Sequence, residues 1–396
     1  MNLPARIVLA ALISACAVAQ QPRVFLVNPA TLVAQKAHPD ADVLQLVVAA
    51  ADKAMRQEPV AVTDKTLAPP SGDKHDYTSM ARYFWPNPNT PNHLPYVRKD
   101  GQSNPEIAAI KDHEDLTRVS VDARSLALGY YLTGKEAYAE HAALLLRHFF
   151  LDPATAMNPN LQFAQFVPGV NDGRGTGILD ARGLAYAVDA VGLLDGSKAW
   201  TNADQQGMTA WFTKYYTWLR TSANGKHEEA AANNHGSWYA AQAASIASFL
   251  GKTEDVHAIA VRVRDKRIPS QFDAKGLQKL ELARTNSFSY SAFNLEALTE
   301  LAQIVSWTDV DLYTVHPGIL EGMDALLPYD KEHKWPHEQI GAGMETSICP
   351  GLDRVAAKMR EAKYAEAQKR FGCRVTVDSL LEMMGLGAAG IVTASR

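Results

Sequence analysis

From Leu116 onward, apolar residues recur with helical spacing in stretches separated by short polar turns. The segments "ARSLALGYYLTGKEAYAEHAALLLRHFF", "ARGLAYAVDAVGLLDGSKAW", "SWYAAQAASIASFLGKTEDVHAIAVRV" and "FNLEALTELAQIVSWTDVDLY" each read as a helix, a tight turn and a second helix. Their turns, "LTGKE", "LLDGS", "FLGKTED" and "VSWTD", recur roughly every 55 to 60 residues, a period that suits two long helices and a loop. Strand signals are weak, because alternating β-branched runs joined by hairpin dipeptides do not occur. The pattern predicts an all-α fold, an (α/α) toroid or barrel of about six to seven antiparallel helix hairpins. Helix ends and connecting loops would surround a central cavity suited to a long polymeric ligand.

Ahead of the helices, residues 76–106 break the pattern: "DYTSMARYFWPNPNTPNHLPYVRKDGQSNPE" is dense in Pro, Asn and aromatics and predicts a long structured N-terminal loop. Long loops in compact domains are often functional. Tyr83, Trp85 and Tyr96 can present flat faces to sugar rings, or can pack a proline-rich arm over the barrel.

The first twenty residues, "MNLPARIVLAALISACAVAQ", have an early Arg6, an apolar run and small residues before Gln20, the pattern of a secretory signal peptide over 1–19. A lipobox-like "ISAC" offers the alternative of a lipid anchor at Cys16. Either exit predicts a periplasmic or secreted protein, with residues 20–396 as one domain, since no composition break marks a second. No later stretch is apolar enough to span a bilayer. The oxidising compartment permits Cys349 and Cys373 to pair, against the alternative of two separate thiols.

The 396 residues are 47% hydrophobic with a net charge of −4, and they contain no long Lys/Arg block. Nucleic acid and anionic membrane are therefore excluded as main partners, because both need a concentrated basic surface.

Candidate chemistry begins at "EEAAANNHGSWYAAQ". Asn233, Asn234 and His235 supply more polar capacity than an apolar helix face satisfies. Glu228 and His235 are seven apart, so an unbroken helix would put them on nearly one face, whereas Asn234 joins them only if the helix begins or breaks nearby; Gly236 makes a break plausible. In "ELARTNSFSYSAFNLEAL", Arg284 and Tyr290 are six apart, which an extended stretch brings together and a helix does not, so both are placed on a loop entering a helix that begins near Ser291. Gln165 and Arg174 lie in "LQFAQFVPGVNDGRGTGILDARGL", a Gly-rich loop between helices that can bind neighbouring sugars. A phosphate-binding reading of "GRGTG" fails for want of a preceding strand. His333 and His337 have metal-like spacing, but Pro336 spoils the helical face and no third ligand is in context. No metal or other cofactor is expected.

These groups have one consistent use. A polymer of uronic acids can be cut by β-elimination, in which a base removes the C5 proton and an acid protonates the departing O4. The neighbouring carboxylate must be neutralised so that the enolate-like transition state is stabilised more than the substrate. Histidine and tyrosine suit the proton transfers, and tyrosine needs a nearby positive charge to act as a base.

"NNHGSWYAAQ", the "ARYFWPNPNTPN" loop, the "YYLTGKEAYA" helix pair and the Arg-x5-Tyr of "RTNSFSY" resemble the alginate lyase superfamily of helical-barrel polyuronate lyases, over most of the mature chain. The Glu228 and Arg284 spacings look closer to polysaccharide lyase family 38 than to family 5. The resemblance implies that His235 accepts the C5 proton and that Tyr290 protonates O4, or acts as base where proton and leaving group share a face. It implies that Asn234, Arg284 and a protonated Glu228 neutralise the substrate carboxylate; an ionised Glu228 would instead orient His235. Tyr83, Trp85, Gln165, Arg174 and Asn233 are the expected substrate-binding residues, and the expected partner is an acidic polysaccharide. Two rivals remain: a helical-barrel glycoside hydrolase, which needs two carboxyl groups across the scissile bond, and a non-catalytic glycan-binding protein. The kind of uronic acid, endo or exo action and the oligomeric state are left open.

Overall fold

The structure, a computed structural model, describes residues 21–389; the signal-peptide and Cys16 readings lie outside them. The described chain is a ring of helices. Pro29–Ala37 (α1) and Ala41–Ala54 (α2) come first, followed after the long loop by Asp112–Thr133 (α3) and Glu136–Leu146 (α4). Next are Leu184–Leu193 (α5), Asn202–Thr221 (α6), Ala223–Ala230 (α7), Asn234–Phe249 (α8) and Thr253–Arg262 (α9). The last part holds Ile268–Gln271 (α10), Lys279–Leu282 (α11), Ser287–Ile304 (α12), Ile319–Leu326 (α13), Met344–Ser347 (α14), Cys349–Met359 (α15), Ala362–Phe371 (α16) and Val377–Ala389 (α17).

Helices α3, α5, α8, α12, α15 and α17 pack in succession, and α17 returns to α1 and α2, of which α2 lies on α3. That closes the ring. On the outside, α4 covers α3, α6 and α9 cover α8, α13 covers α12, and α16 covers α15. The all-α toroid expected from the periodicity is thus the fold. The turn glycines Gly134 and Gly251 take left-handed backbone, φ 69° and 70°, which ends α3 and α8 sharply enough for the chain to reverse.

Burial explains the two layers. Every residue of α8 except His235 is buried, as expected of a helix that is apolar or small on all sides. The seams of the ring are also ionic: Arg124 of α3 bonds Asp378 of α17 at 2.7 Å, and Arg354 of α15 lies 3.0 Å from Glu382 of α17 and 3.5 Å from Glu300 of α12. Buried pairs of this kind cost more to break than they contribute intact, so they fix which helices meet.

Sequence reading missed two small sheets. Thr78–Met80 (β1) pairs in parallel with Phe163–Phe166 (β4), and Phe84–Trp85 (β2) pairs antiparallel with Val97–Arg98 (β3). Gln165 therefore sits on β4 and not in a glycine-rich loop. Strands this short carry no periodicity to read.

Cys349 and Cys373 are joined, their Cα atoms 5.4 Å apart, so the α15–α16 hairpin is stapled at its open end. The bond closes a loop spanning 24 residues. Replacing both cysteines by alanine is expected to lower the unfolding free energy by about 3 kcal/mol, the chain-entropy value for a loop of that size; urea unfolding of variant and native protein measures it.

Candidate active site

Three stretches of chain converge on one cavity of about 920 Å³. The first is the join between α7 and α8. Here the chain breaks over residues 231–233, and the break is pinned from outside: Arg267 donates to the carbonyls of Ala231 (2.6 Å) and Glu229 (2.8 Å), while Gln271 Nε2 donates to those of Ala232 (3.1 Å) and Asn233 (3.3 Å). Gly236 is needed here, because a Cβ on it would stand 2.0 Å from the Arg267 guanidinium and 2.1 Å from the Ala231 oxygen. The break folds α7 back so that Glu228 meets His235 across two helices, Nδ1 to Oε1 2.6 Å. With Glu228 accepting, Nδ1 carries the hydrogen and Nε2 keeps a lone pair for the cavity that His235 lines.

The second stretch runs from α11 into α12. Tyr290 is in the first turn of α12, which begins at Ser287 and not near Ser291. Arg284 lies before that turn and reaches Tyr290 by chain reversal, not by the extended spacing expected from the sequence. Arg284 Nη2 donates to the Tyr290 oxygen at 2.7 Å, its guanidinium carbon is 3.8 Å from the Tyr290 ring centre, and Tyr290 donates to the Tyr83 hydroxyl at 2.9 Å. Burial pushes the Tyr290 phenol well up and Tyr83 adds to it, with Arg284 pulling the other way. Tyr290 therefore keeps its proton.

The third stretch is β4 with the following 3-10 turn, Gly175–Ala181. Arg174 donates to the Gln165 carbonyl and side-chain oxygens (3.1 and 2.9 Å), and Gln165 Nε2 donates to Asp180 (2.7 Å). Asp180 also accepts from Tyr77 (3.0 Å) and Ser79 (2.6 Å).

His235, Tyr290, Arg284, Asn233, Tyr83, Gln165 and Arg174 all line this cavity. Other expected residues lie elsewhere. Asn234, expected at the substrate carboxylate, is fully buried, and it donates from its backbone N–H and Nδ2 to the two oxygens of Glu281, 2.7 Å each. Glu228, given a choice of roles, is buried, and its Oε1 stands 2.6 Å from His235 Nδ1, the contact that the orienting role needs. Trp85 stands off the cavity, its indole donating to the Gln102 carbonyl at 2.9 Å with Lys99 over its ring. Tyr96 hydrogen-bonds Glu106. His333 pairs with Asp330 at 2.8 Å and His337 packs on Trp335, so neither joins the other. Among the described residues no group of three or more His, Cys, Asp or Glu could hold a metal.

Besides Asp180 and Arg182, which line the cavity, two residues behind it were missed from the sequence. Glu281 is buried, which raises its carboxyl against the lowering hydrogen bonds from Asn234. Asp100, from the long loop, grips Arg284 (2.7 to 3.1 Å), the Thr285 hydroxyl (3.0 Å) and the Thr285 N–H (3.2 Å). The contacts span 47 and 184 residues, so no local pattern announces them.

A family model described as alginate lyase matches residues 61–335. Among solved structures, an alginate lyase from Bacteroides ovatus is similar at 33% identity and a TM-score of 0.85, with 92% of this chain and 99% of that chain covered. Alginate lyase A1-III from Sphingomonas species A1 is similar at 16% identity and a TM-score of 0.58, with 91% and 93% covered, a likeness of fold alone. No curated protein gives a match.

Burial raises the Asp100 carboxyl, but the bonds from Arg284 and Thr285 outweigh it and hold the group well below the usual carboxylate range. A depressed folded value gives stability that is present above the unfolded pKa of about 4 and lost as pH falls towards the folded one. Asp100→Asn is expected to cost about 1 kcal/mol at neutral pH, the low end for a charged pair partly open to solvent. The deficit relative to native protein should be constant from neutral pH down to about 5 and shrink below about 4; urea unfolding across that range measures it.

Proposed function

The chain belongs to the alginate lyase family, and from that premise we propose that it is a polysaccharide lyase that cuts 1,4-linked polyuronates by β-elimination, with alginate the first substrate to test and glucuronan the second. The observation that carries the reading is that His235, with Nδ1 2.6 Å from Glu228, and Tyr290, whose phenol burial pushes up, line one cavity. With Glu228 accepting at Nδ1, His235 offers Nε2 as the base, and Tyr290 of the same cavity retains its proton. A base and an acid are what an elimination needs at C5 and O4.

In the proposed reaction the substrate carboxylate lies against Arg284, whose Nε and Nη2 are committed to Asp100 and Tyr290 while Nη1 remains available. Asn233, on the cavity wall, takes the amide role expected of buried Asn234. His235 Nε2 removes the C5 proton, the electron pair forms the C4–C5 double bond, the C4–O4 bond breaks, and Tyr290 gives its proton to O4. Donors aimed at the carboxylate stabilise the enolate-like charge as it develops. The new non-reducing end is unsaturated. For an epimer whose proton lies on the leaving-group side, Tyr290 would serve as base as well, helped by the adjacent guanidinium. The Cys349–Cys373 disulfide supports export to the periplasm or beyond.

The hydrolase alternative would have to use the lining carboxyls Asp180 and Glu296, and Asp180 already accepts three hydrogen bonds. One assay separates the readings. Incubation with alginate or polyglucuronate should raise ultraviolet absorbance from the conjugated double bond. New reducing ends without it would mean hydrolysis, and affinity without product a binding protein. Tyr290→Phe is expected to lower kcat by about a hundred- to ten-thousand-fold with binding retained; undiminished turnover would remove Tyr290 from the mechanism.

A further inference from the structure

Among the described residues two cations of the cavity make no side-chain hydrogen bond or ion pair, exposed Arg82 and half-buried Arg182, and only the second is held in place by its neighbours. Arg284 is held by Asp100 and Tyr290, Arg174 by Gln165, and Arg98 by Asp100. The Arg182 guanidinium also lines the cavity, yet among the described residues it makes no side-chain hydrogen bond and no ion pair within 4.0 Å. Its position is nevertheless fixed. The guanidinium carbon lies 5.8 Å from the Trp238 ring centre and 5.6 Å from that of Phe293, across two rings whose centres are 5.1 Å apart. Cation–π contact holds the group in place and leaves its N–H donors unspent.

The two rings give Arg182 an address. Trp238 is three residues after His235 on α8, and Phe293 is three after Tyr290 on α12, so each ring is about one turn, or roughly 4.5 Å, further along the same face than the proton-transfer residue. That step is about the length of one sugar in a 1,4-linked chain. The cavity wall has other open polar atoms: Thr176 Oγ1 and His113 Nδ1, the latter 4.0 Å from Asp180, are buried without a hydrogen-bond partner among the described residues. Glu296, a turn beyond Phe293, and Glu300 act on Arg182 through space, but neither forms an ion pair with it within 4.0 Å, so its N–H donors stay open to a ligand.

We propose that Arg182 is a second carboxylate-binding point, one that takes the acid group of the uronate next to the one lying between His235 and Tyr290. The inference rests on the lyase reading above and adds a subsite to it. Binding there makes the cavity require two consecutive acid sugars, so a chain in which uronates alternate with neutral sugars would lose the contact.

Arg182→Gln and Arg182→Lys test this on polymannuronate, polyguluronate and polyglucuronate. For whichever polymer the native protein cleaves, Arg182→Gln should raise KM at least about tenfold, with kcat changed less than about threefold, because a charged hydrogen bond is lost to both ground and transition state. Arg182→Lys, which keeps the charge, should recover part of the affinity. Thermal melting checks that each variant is folded, and if Arg182→Gln is not, the KM of Arg182→Lys decides, with a value equal to the native one counting against the proposal. Unchanged KM in Arg182→Gln, or a collapse of kcat at constant KM, overturns the subsite and leaves the lyase reading intact. No cleavage of any polyuronate by the native protein overturns both.

Discussion

A helix buried as completely as α8 can present an imidazole to solvent only at its end, and only if the chain entering it turns away at once. The break over residues 231–233 meets that requirement. It is enforced by Arg267 and Gln271, which hold the carbonyls freed by the interruption, and by Gly236, which leaves room for them. The same break reverses α7, so that Glu228, seven residues earlier, comes back to His235 as a tertiary contact. Backbone hydrogen bonding, the crossing at a glycine and the tautomer of the histidine are thus one linked solution. A continuous helix would also have put Glu228 near the His235 face, but would have carried Asn233 off along the helix wall.

The loop over residues 76–106 is built into the site from the opposite side. Tyr83 ends in a hydrogen bond with Tyr290, and Asp100 clamps the Arg284–Thr285 corner. Arg284 is therefore held at two of its nitrogens before any ligand arrives, with one edge left open, an arrangement that favours preorganised charge stabilisation because the donor does not have to be reoriented during the reaction. Asp100 offsets part of the guanidinium charge.

The ring was legible in the sequence because its helices are long and their turns regular, and "LTGKE" and "FLGKTED" fall where Gly134 and Gly251 reverse the chain. The residue types of the site were legible as well: His235, Arg284 and Tyr290 line one cavity. Their contacts were not. Sequence spacing placed Arg284 and Tyr290 together on an extended stretch, whereas the fold brings them together by turning from α11 into α12. Asn234 and Asn233 are adjacent and chemically identical, and only the orientation of the first turn of α8 decides which one faces the cavity and which one faces Glu281. A one-residue difference in helix start exchanges those roles by about 100° of rotation. Trp85 and Tyr83 differ in the same way, two residues apart on a loop that β2 and β3 pin in register.

In the proposed reaction, burial also divides the labour between the two proton-transfer groups. Tyr290, at the start of a packed helix and against Tyr83, is pushed towards the neutral phenol, and the nearby guanidinium only moderates that push. A group in that state is a proton donor at rest, and to act as a base it would need more of the Arg284 charge than Asp100 leaves it. His235 is the one residue of α8 left uncovered, and its Nδ1 is fixed by a carboxylate, so its free nitrogen is ready to accept. The proposed division of roles favours the geometry in which proton and leaving group lie on opposite faces of the sugar. The epimer that presents both on one face would have to rely on Tyr290 alone, against the direction in which burial has set it. Relative rates on the two epimers should therefore report the Asp100–Arg284 contact as much as the shape of the cavity.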